Sequence, residues 1–326
     1  MEEDKKLYPM KFCSLQDEYV WGSEEFALAD LGYRDSLVRE GWLAGNTVSE
    51  VMETYLDRVC GERVYDYYGR QFPVCVRVLR VRGKMPLRVH PDDEVARQRY
   101  DLLGKEKLWY VLRCGKGASI AAGFKKDSNA SELLSACADG TVEGLLNIIA
   151  PYKGQCLVIP AGTPHAAFGD VDILEIGESS PLDFCLTSWG AELGEDEFDS
   201  SLETVDALDF INYSAFVSAS PSGNVLVDLP QFRVEKMPLP SPVRVRCGEG
   251  DSFSLYVCVG GAAEVKVPDD DVLRKFSSGE LLLVPAECDE FSIVPVESGT
   301  AVLEISVNRV EKDGYINPAV PASLER

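Results

Sequence analysis

Histidine is nearly absent from this chain: its 326 residues include two, His90 and His165. Sites built from three or more imidazoles are excluded, and any metal or proton-transfer chemistry that uses imidazole must use these two. Long hydrophobic runs are also missing. No apolar stretch approaches the ~18–20 residues that a membrane helix needs. The opening MEEDKKLYP is charged and has no apolar h-region, so no secretory signal is expected and a cytoplasmic location is. Positive charge is scarce: 32 Lys and Arg stand against 54 Asp and Glu, a formal net charge of −22. Nucleic acids and anionic membranes are therefore not expected partners, because both demand a positive surface. The 10 cysteines are scattered, with no CxxC pair and none near a histidine at zinc-finger spacing. They read as reduced core thiols.

What is present is ordinary globular chemistry, with 45% hydrophobic and 26% charged residues. The length suggests about two domains at roughly 100–200 residues each. Helical periodicity is clearest over residues 47–59, 92–103 and 201–211, and over 129–149 as two short helices broken at Asp139–Gly140. Most of the remainder reads as short strands, among them VCVRVLRV, LWYVLRC, QCLVIP, DILEIG, SFSLYVCV and AVLEISV. Many short strands at close intervals point to antiparallel barrels or sandwiches rather than a parallel sheet. The acidic stretch 192–209 reads as a solvated linker and helix face. KGQCLVIPAGTPHAAF and SGELLLVPAECDEFSI both run Gly, five residues, Pro-Ala, turn, strand, which suggests two copies of one barrel. Only the first copy carries a histidine, and the chain from Gln231 onward has none.

The first copy reads Gly154-x5-Pro160-x-Gly162-x2-His165-x3-Gly169. Its glycines and proline make a tight corner, and His165 opens the following strand, where alternation can point it inward. Upstream, Leu87-Arg88-Val89-His90 places Arg88 and His90 on one strand face, and Pro91-Asp92-Asp93 begins a helix with Asp92 and Asp93 as capping and dipole partners. Gly104-Lys105-Glu106-Lys107-Leu108-Trp109-Tyr110 enters the next strand.

In this order, LRVHPDD, GKEKLWY and PAGTPHA resemble the bacterial type I mannose-6-phosphate isomerase (phosphomannose isomerase) family. The likeness also takes in VWG near Trp21, SLVREGWLAGNTVSEVMETY and DILEIGESS. The resemblance implies a mainly β fold of two cupin-type antiparallel β-barrels (jelly rolls) with an α-helical insert. Residues 1–225 are expected to form the catalytic-type domain, with its insert at about 91–150, and residues 226–326 the C-terminal barrel. It also implies zinc, a small sugar phosphate as ligand, and interconversion of mannose 6-phosphate and fructose 6-phosphate.

Carried over by position, His90 and His165 fall on the family's histidine metal ligands. Lys105 matches the lysine near the reacting centre, Glu175 the leading glutamate of its strand, and Ser180 a serine beyond it. Two family positions are replaced. Lys107 stands where a ligand glutamate is expected, and Cys185 where an arginine is. Glu106 is one residue early and faces away on a regular strand, unless a bulge re-aims it toward the metal. Lys105, Glu175 and Arg88 are the catalytic candidates, and Lys107 and Ser180 the candidates for holding substrate or an anion. Arg88 and Lys107 can instead pair with nearby carboxylates.

An aldose–ketose isomerisation needs a base and a cation for the enediolate, and Lys107 adds positive charge where a metal cation would bind. Three classes thus stay open: a working isomerase, a non-catalytic relative that binds a sugar or anion, and a cupin with other metal chemistry. Oligomeric state is not legible.

Overall fold

The computed structural model describes residues 5–190, 200–219, 221, 223–248, 252–268, 270 and 272–307. The chain divides into two compact units. One comprises the described residues of Met1–Leu15, Ala27–Cys75 and Pro221–Arg326; the other is Gln16–Phe26 with Val76–Ser220.

The unit that holds both histidines is built on two antiparallel sheets. Its strands are β1 Leu15–Tyr19, β2 Gly22–Leu28, β3 Val74–Val81, β4 Leu87–Val89, β5 Lys107–Cys114, β6 Ser119–Phe124, β7 Leu146–Ile149, β8 Cys156–Ile159, β9 His165–Phe168, β10 Val171–Glu178 and β11 Phe184–Thr187. One sheet has the order β1-β2-β3-β10-β5-β8, the other β11-β4-β9-β6-β7. The sequence explains the strands. β3 and β10 are dense in Val, Leu and Ile, which suit a pleated surface buried on both sides. A core of Leu79, Val81, Trp109, Val111, Ile120, Leu157 and Ile173 lies within this unit, and a second gathers around Phe124, Leu133, Phe168 and Phe184.

The other unit also holds two antiparallel sheets. One contains Val225–Asp228, Arg233–Pro238, Ala301–Ser306, Ser254–Gly260 and Leu281–Val284; the other contains Val243–Arg246, Glu290–Pro295, Ala262–Lys266 and Arg274–Ser277. Both internal copies follow one path. Cys156–Ile159 and Leu281–Val284 each end a sheet, and the chain then turns into the interior of the opposite sheet at His165–Phe168 and Glu290–Pro295. In the second copy Cys288 is buried in an apolar cluster with Phe291 and Ile293.

The mainly β reading holds, and two local expectations change. The predicted helix over 47–59 breaks at Leu56, whose φ is 52°, into Val48–Tyr55 and Asp57–Cys60; a further helix, Glu62–Tyr68, follows. Thr47 and Glu50 close the first of these with a capping box. In 129–149 only Ala130–Ala138 is α-helical; Val142–Gly144 is a single 3-10 turn, and Leu146–Ile149 is β7, paired to β6. Apolar β-branched residues at an available sheet edge overrode the helical spacing.

Residues 1–75 also divide differently from the sequence expectation. Most join the unit of the C-terminal strands, through the backbone pair Met10–Leu283 and the ion pair Lys11–Glu280. The acidic stretch 192–209 lies outside the described residues up to 199 and then forms the helix Ser200–Ala207. All ten cysteines are free. No helix among the described residues is long and apolar enough to cross a membrane.

Candidate functional site

The chemistry-bearing residues meet inside the histidine-containing unit. Across its six-stranded sheet, charges alternate over four neighbouring strands: Glu24 on β2, Arg77 on β3, Glu175 on β10 and Lys107 on β5. Arg77 bonds both flanking carboxylates, its NH1 to Glu24 Oε2 at 2.7 Å and its Nε to Glu175 Oε1 at 2.7 Å. Glu175 Oε2 accepts from Lys107 Nζ at 3.0 Å and from Trp109 Nε1 at 2.7 Å. The register explains the last contact, because Glu175 and Trp109 are directly opposed partners. From the second sheet, Arg88 reaches Glu24 Oε1 at 2.8 Å and Asp183 Oδ2 at 3.0 Å.

Lys107 is the hub. It is 1% exposed, and its Nζ lies 2.6 Å from His90 Nε2 and 3.4 Å from His165 Nε2, besides Glu175. The tautomers follow from the other ring nitrogens. His90 Nδ1 faces the Leu182 carbonyl at 3.0 Å, and His165 Nδ1 faces the Thr163 carbonyl at 2.8 Å. A carbonyl only accepts, so Nδ1 carries the proton in both rings and each Nε2 presents a lone pair to the ammonium. The ring centroids are 5.0 Å apart.

The electrostatics agree with this assignment. Burial and then the Lys107 charge hold His90 well below its ordinary value, and they bring His165 down to about 3. Both imidazoles are therefore neutral. Burial also lowers Lys107, to about 8, against the opposing pull of Glu175, so it remains mainly charged at neutral pH. Burial works to raise Glu175, but Arg77, Lys107, Lys105 and the Trp109 N–H outweigh it and keep that carboxylate well below its usual range.

The structure thus brings together His90, His165, Lys107, Glu175 and Arg88, with Lys105 as a charged neighbour of His90, Glu175 and Asp183. Several expectations need correction. Glu106 does not join the histidines. It sits beside Asp92, Asp93 and Glu178, on the face opposite Lys107, because adjacent residues entering a strand alternate and no bulge intervenes there. Ser180 is not presented to a ligand: it is fully buried and its Oγ donates to the Leu103 carbonyl at 2.7 Å. Lys107 is not offered to an anion, since its three N–H groups already face three acceptors. Cys185 lies on β11 directly opposite Arg88. Asp92 caps the helix Asp93–Tyr100 by accepting from the Val95 N–H.

Sequence reasoning missed Arg77, Glu24 and Asp183, and it gave Trp109 no role beyond its place in a strand. One signal was available: a charged residue inside a run as apolar as VCVRVLRV must find a partner if the strand is buried on both faces.

The donor set does not fit zinc as it stands. Zinc needs nitrogen and oxygen ligands at ~2.0–2.2 Å from one centre. Here the shared centre is the ammonium nitrogen, with donors at 2.6, 3.0 and 3.4 Å, lengths of hydrogen bonds. Among the described residues, no group of three or more His, Cys, Asp or Glu is arranged to hold a metal ion.

No family model matches the chain. Individual proteins do. Mannose-6-phosphate isomerase ManA of Bacillus subtilis (strain 168) is 24% identical over 314 residues, covering 87% of this chain and 95% of its own length. The crystal structure of the mannose 6-phosphate isomerase from Bacillus subtilis superposes with a TM-score of 0.77 at 21% identity, over 92% of this chain and 99% of its own. The chain is thus similar to mannose-6-phosphate isomerases along most of its length and shares their fold. A zinc-bound mannose 6-phosphate isomerase shares the fold at a TM-score of 0.70 and 14% identity, over 93% of this chain and 100% of its own. In this chain Lys107 stands between the two imidazoles and Glu175.

Proposed function

We propose that this chain is a mannose-6-phosphate isomerase-like protein of carbohydrate metabolism, working in the cytoplasm on two cupin-type folds and handling the pair mannose 6-phosphate and fructose 6-phosphate. The observation that carries this reading is the likeness to ManA over 87% of the chain. The clustering of His90, His165 and Glu175 in one buried site supports it. In the interconversion a proton moves between adjacent carbons through an enediolate, and a fixed cation steadies the developing oxyanion. Lys105, a charged neighbour of His90 and Glu175, is the cation that the family resemblance assigns to that task.

A second reading, a relative that binds the sugar phosphate without turning it over, is favoured by Lys107. Both imidazole Nε2 atoms and Glu175 point at its ammonium, so none of the three is free to act as the base. Titration calorimetry with mannose 6-phosphate, joined to a coupled assay for fructose 6-phosphate, separates the readings. Binding with turnover far below the ordinary ~1–1,000 per second supports the second. Turnover inside that range establishes the isomerase. Neither binding nor turnover overturns both.

A further inference from the structure

We infer that the Lys107 ammonium occupies the place where His90, His165 and Glu175 would hold a divalent metal, so that this chain carries a built-in cation there and removal of the Lys107 side chain opens a metal site. The inference stands on the geometry of the three donors and does not require turnover.

Three features carry it. First, the valence matches. An ammonium has three N–H donors, and His90 Nε2, His165 Nε2 and Glu175 Oε2 supply three acceptors. Two neutral imidazoles and one carboxylate also form a complete three-ligand set for a divalent ion with one open position.

Second, each donor is aimed by a partner other than Lys107. His90 is held by the Leu182 carbonyl, His165 by the Thr163 carbonyl, and Glu175 by Arg77 and Trp109. Truncating Lys107 leaves these bonds intact, and bonds of this kind are what orient ligands toward a metal.

Third, the alternatives for the vacated space are poor. Without the ammonium, two lone pairs and a carboxylate oxygen face one another in a buried volume. Such an arrangement draws in a cation, since buried acceptors left without a donor are costly.

The test compares wild-type protein with Lys107→Ala, both purified in chelator and titrated with zinc and with cobalt(II). Metal content is read by elemental analysis, and the cobalt spectrum reports tetrahedral coordination. Wild type is expected to take up no metal and give no tetrahedral bands. Lys107→Ala is expected to bind about one ion per chain, and adding His165→Ala is expected to abolish the bands. Wild type binding one ion with His90 and His165 as ligands overturns the inference, because the ammonium then steps aside. A folded Lys107→Ala that binds none overturns it equally. If Lys107→Ala does not fold without metal, refolding it and Lys107→Glu with and without zinc decides. Zinc-dependent recovery of native circular dichroism supports the site, and failure of both in zinc rejects it. Loss of sugar-phosphate binding bears on the proposed function alone, since the metal titration contains no sugar.

Discussion

Arg77 on β3 and Glu175 on the neighbouring β10 are joined by a 2.7 Å bond from Nε to Oε1, and both side chains are almost fully buried. This pair links the two halves of the charged cluster. On one side Arg77 continues to Glu24 and, through it, to Arg88; on the other Glu175 continues to Lys107 and the imidazoles. Each charge is thus offset by a neighbour of opposite sign on the next strand, which is how a sheet can bury four charges in a row.

Replacing Arg77 with Ala should strand Glu24 and Glu175 together in the interior. Breaking a buried pair by removing one partner costs about 3–5 kcal/mol, so Arg77→Ala should lower the urea midpoint strongly. By contrast, Arg113→Ala removes an exposed fork to Asp170 and Asp172 and should leave the midpoint unchanged within experimental error. Equal effects of the two substitutions, measured by denaturant unfolding, would show that the cluster is not buried as described.

Trp109 offers a finer probe, because Trp109→Phe keeps an aromatic ring while it deletes the Nε1–H donated to Glu175 and part of the buried ring volume. Loss of a donor to a buried charge costs about 1–3 kcal/mol. The expected outcome is a moderate drop in stability with the fold retained. A Trp109→Phe protein as stable as wild type would mean that Arg77 and Lys107 alone satisfy Glu175.

Much of this arrangement was legible one residue at a time. The Gly-Pro corner before His165, the two histidines and the capping Asp92 are local signals, fixed by backbone and spacing. The strand alternation that turns Glu106 away while Lys107 turns inward is equally local. What was not legible depends on sheet order. Glu24, Arg77, Glu175 and Lys107 are far apart in sequence, and they become neighbours only because β3 pairs with β10 and β10 with β5. Asp183 reaches Arg88 because β11 returns beside β4. The strand Leu146–Ile149 was hidden for the same reason, since its helical spacing yields only once β6 offers it an edge.

Gly162 tests the corner that delivers His165. Its φ is +75°, and a Cβ there would lie 2.5 Å from the Phe210 carbonyl oxygen. Its N–H also donates to the His90 carbonyl at 2.7 Å, tying the corner to the other histidine. Gly162→Ala combines a left-handed backbone with a backbone clash, so a cost of roughly 1–3 kcal/mol or more is expected. Because the clash displaces the loop that carries Thr163, the imidazole resonance of His165 should shift as well. An unshifted resonance in a destabilised protein would place the strain away from the site.

Glu106 gives the sharpest prediction for pH. Burial first, then the negative charges of Asp93 and Asp92, raise its carboxyl from the ordinary 4.5 to about 7, against the opposing hydrogen bond from the Ala161 N–H. Between those values the folded chain holds a proton that the unfolded chain has already released. The folded state therefore binds more protons, and stability falls as pH rises through the window from 4.5 to about 7. Its contribution is fully present below 4.5 and lost above about 7. Glu106→Gln keeps an oxygen that accepts from Ala161 and has no charge to bury. Wild type and variant should therefore be nearly equal in stability at pH 4, and the variant should be the more stable at pH 8 by on the order of 1–3 kcal/mol. Thermal melts of both proteins at half-unit steps across this range check it. Parallel curves would show that Glu106 is ionised throughout, and that its place beside Asp92 and Asp93 is more solvated than the structure describes.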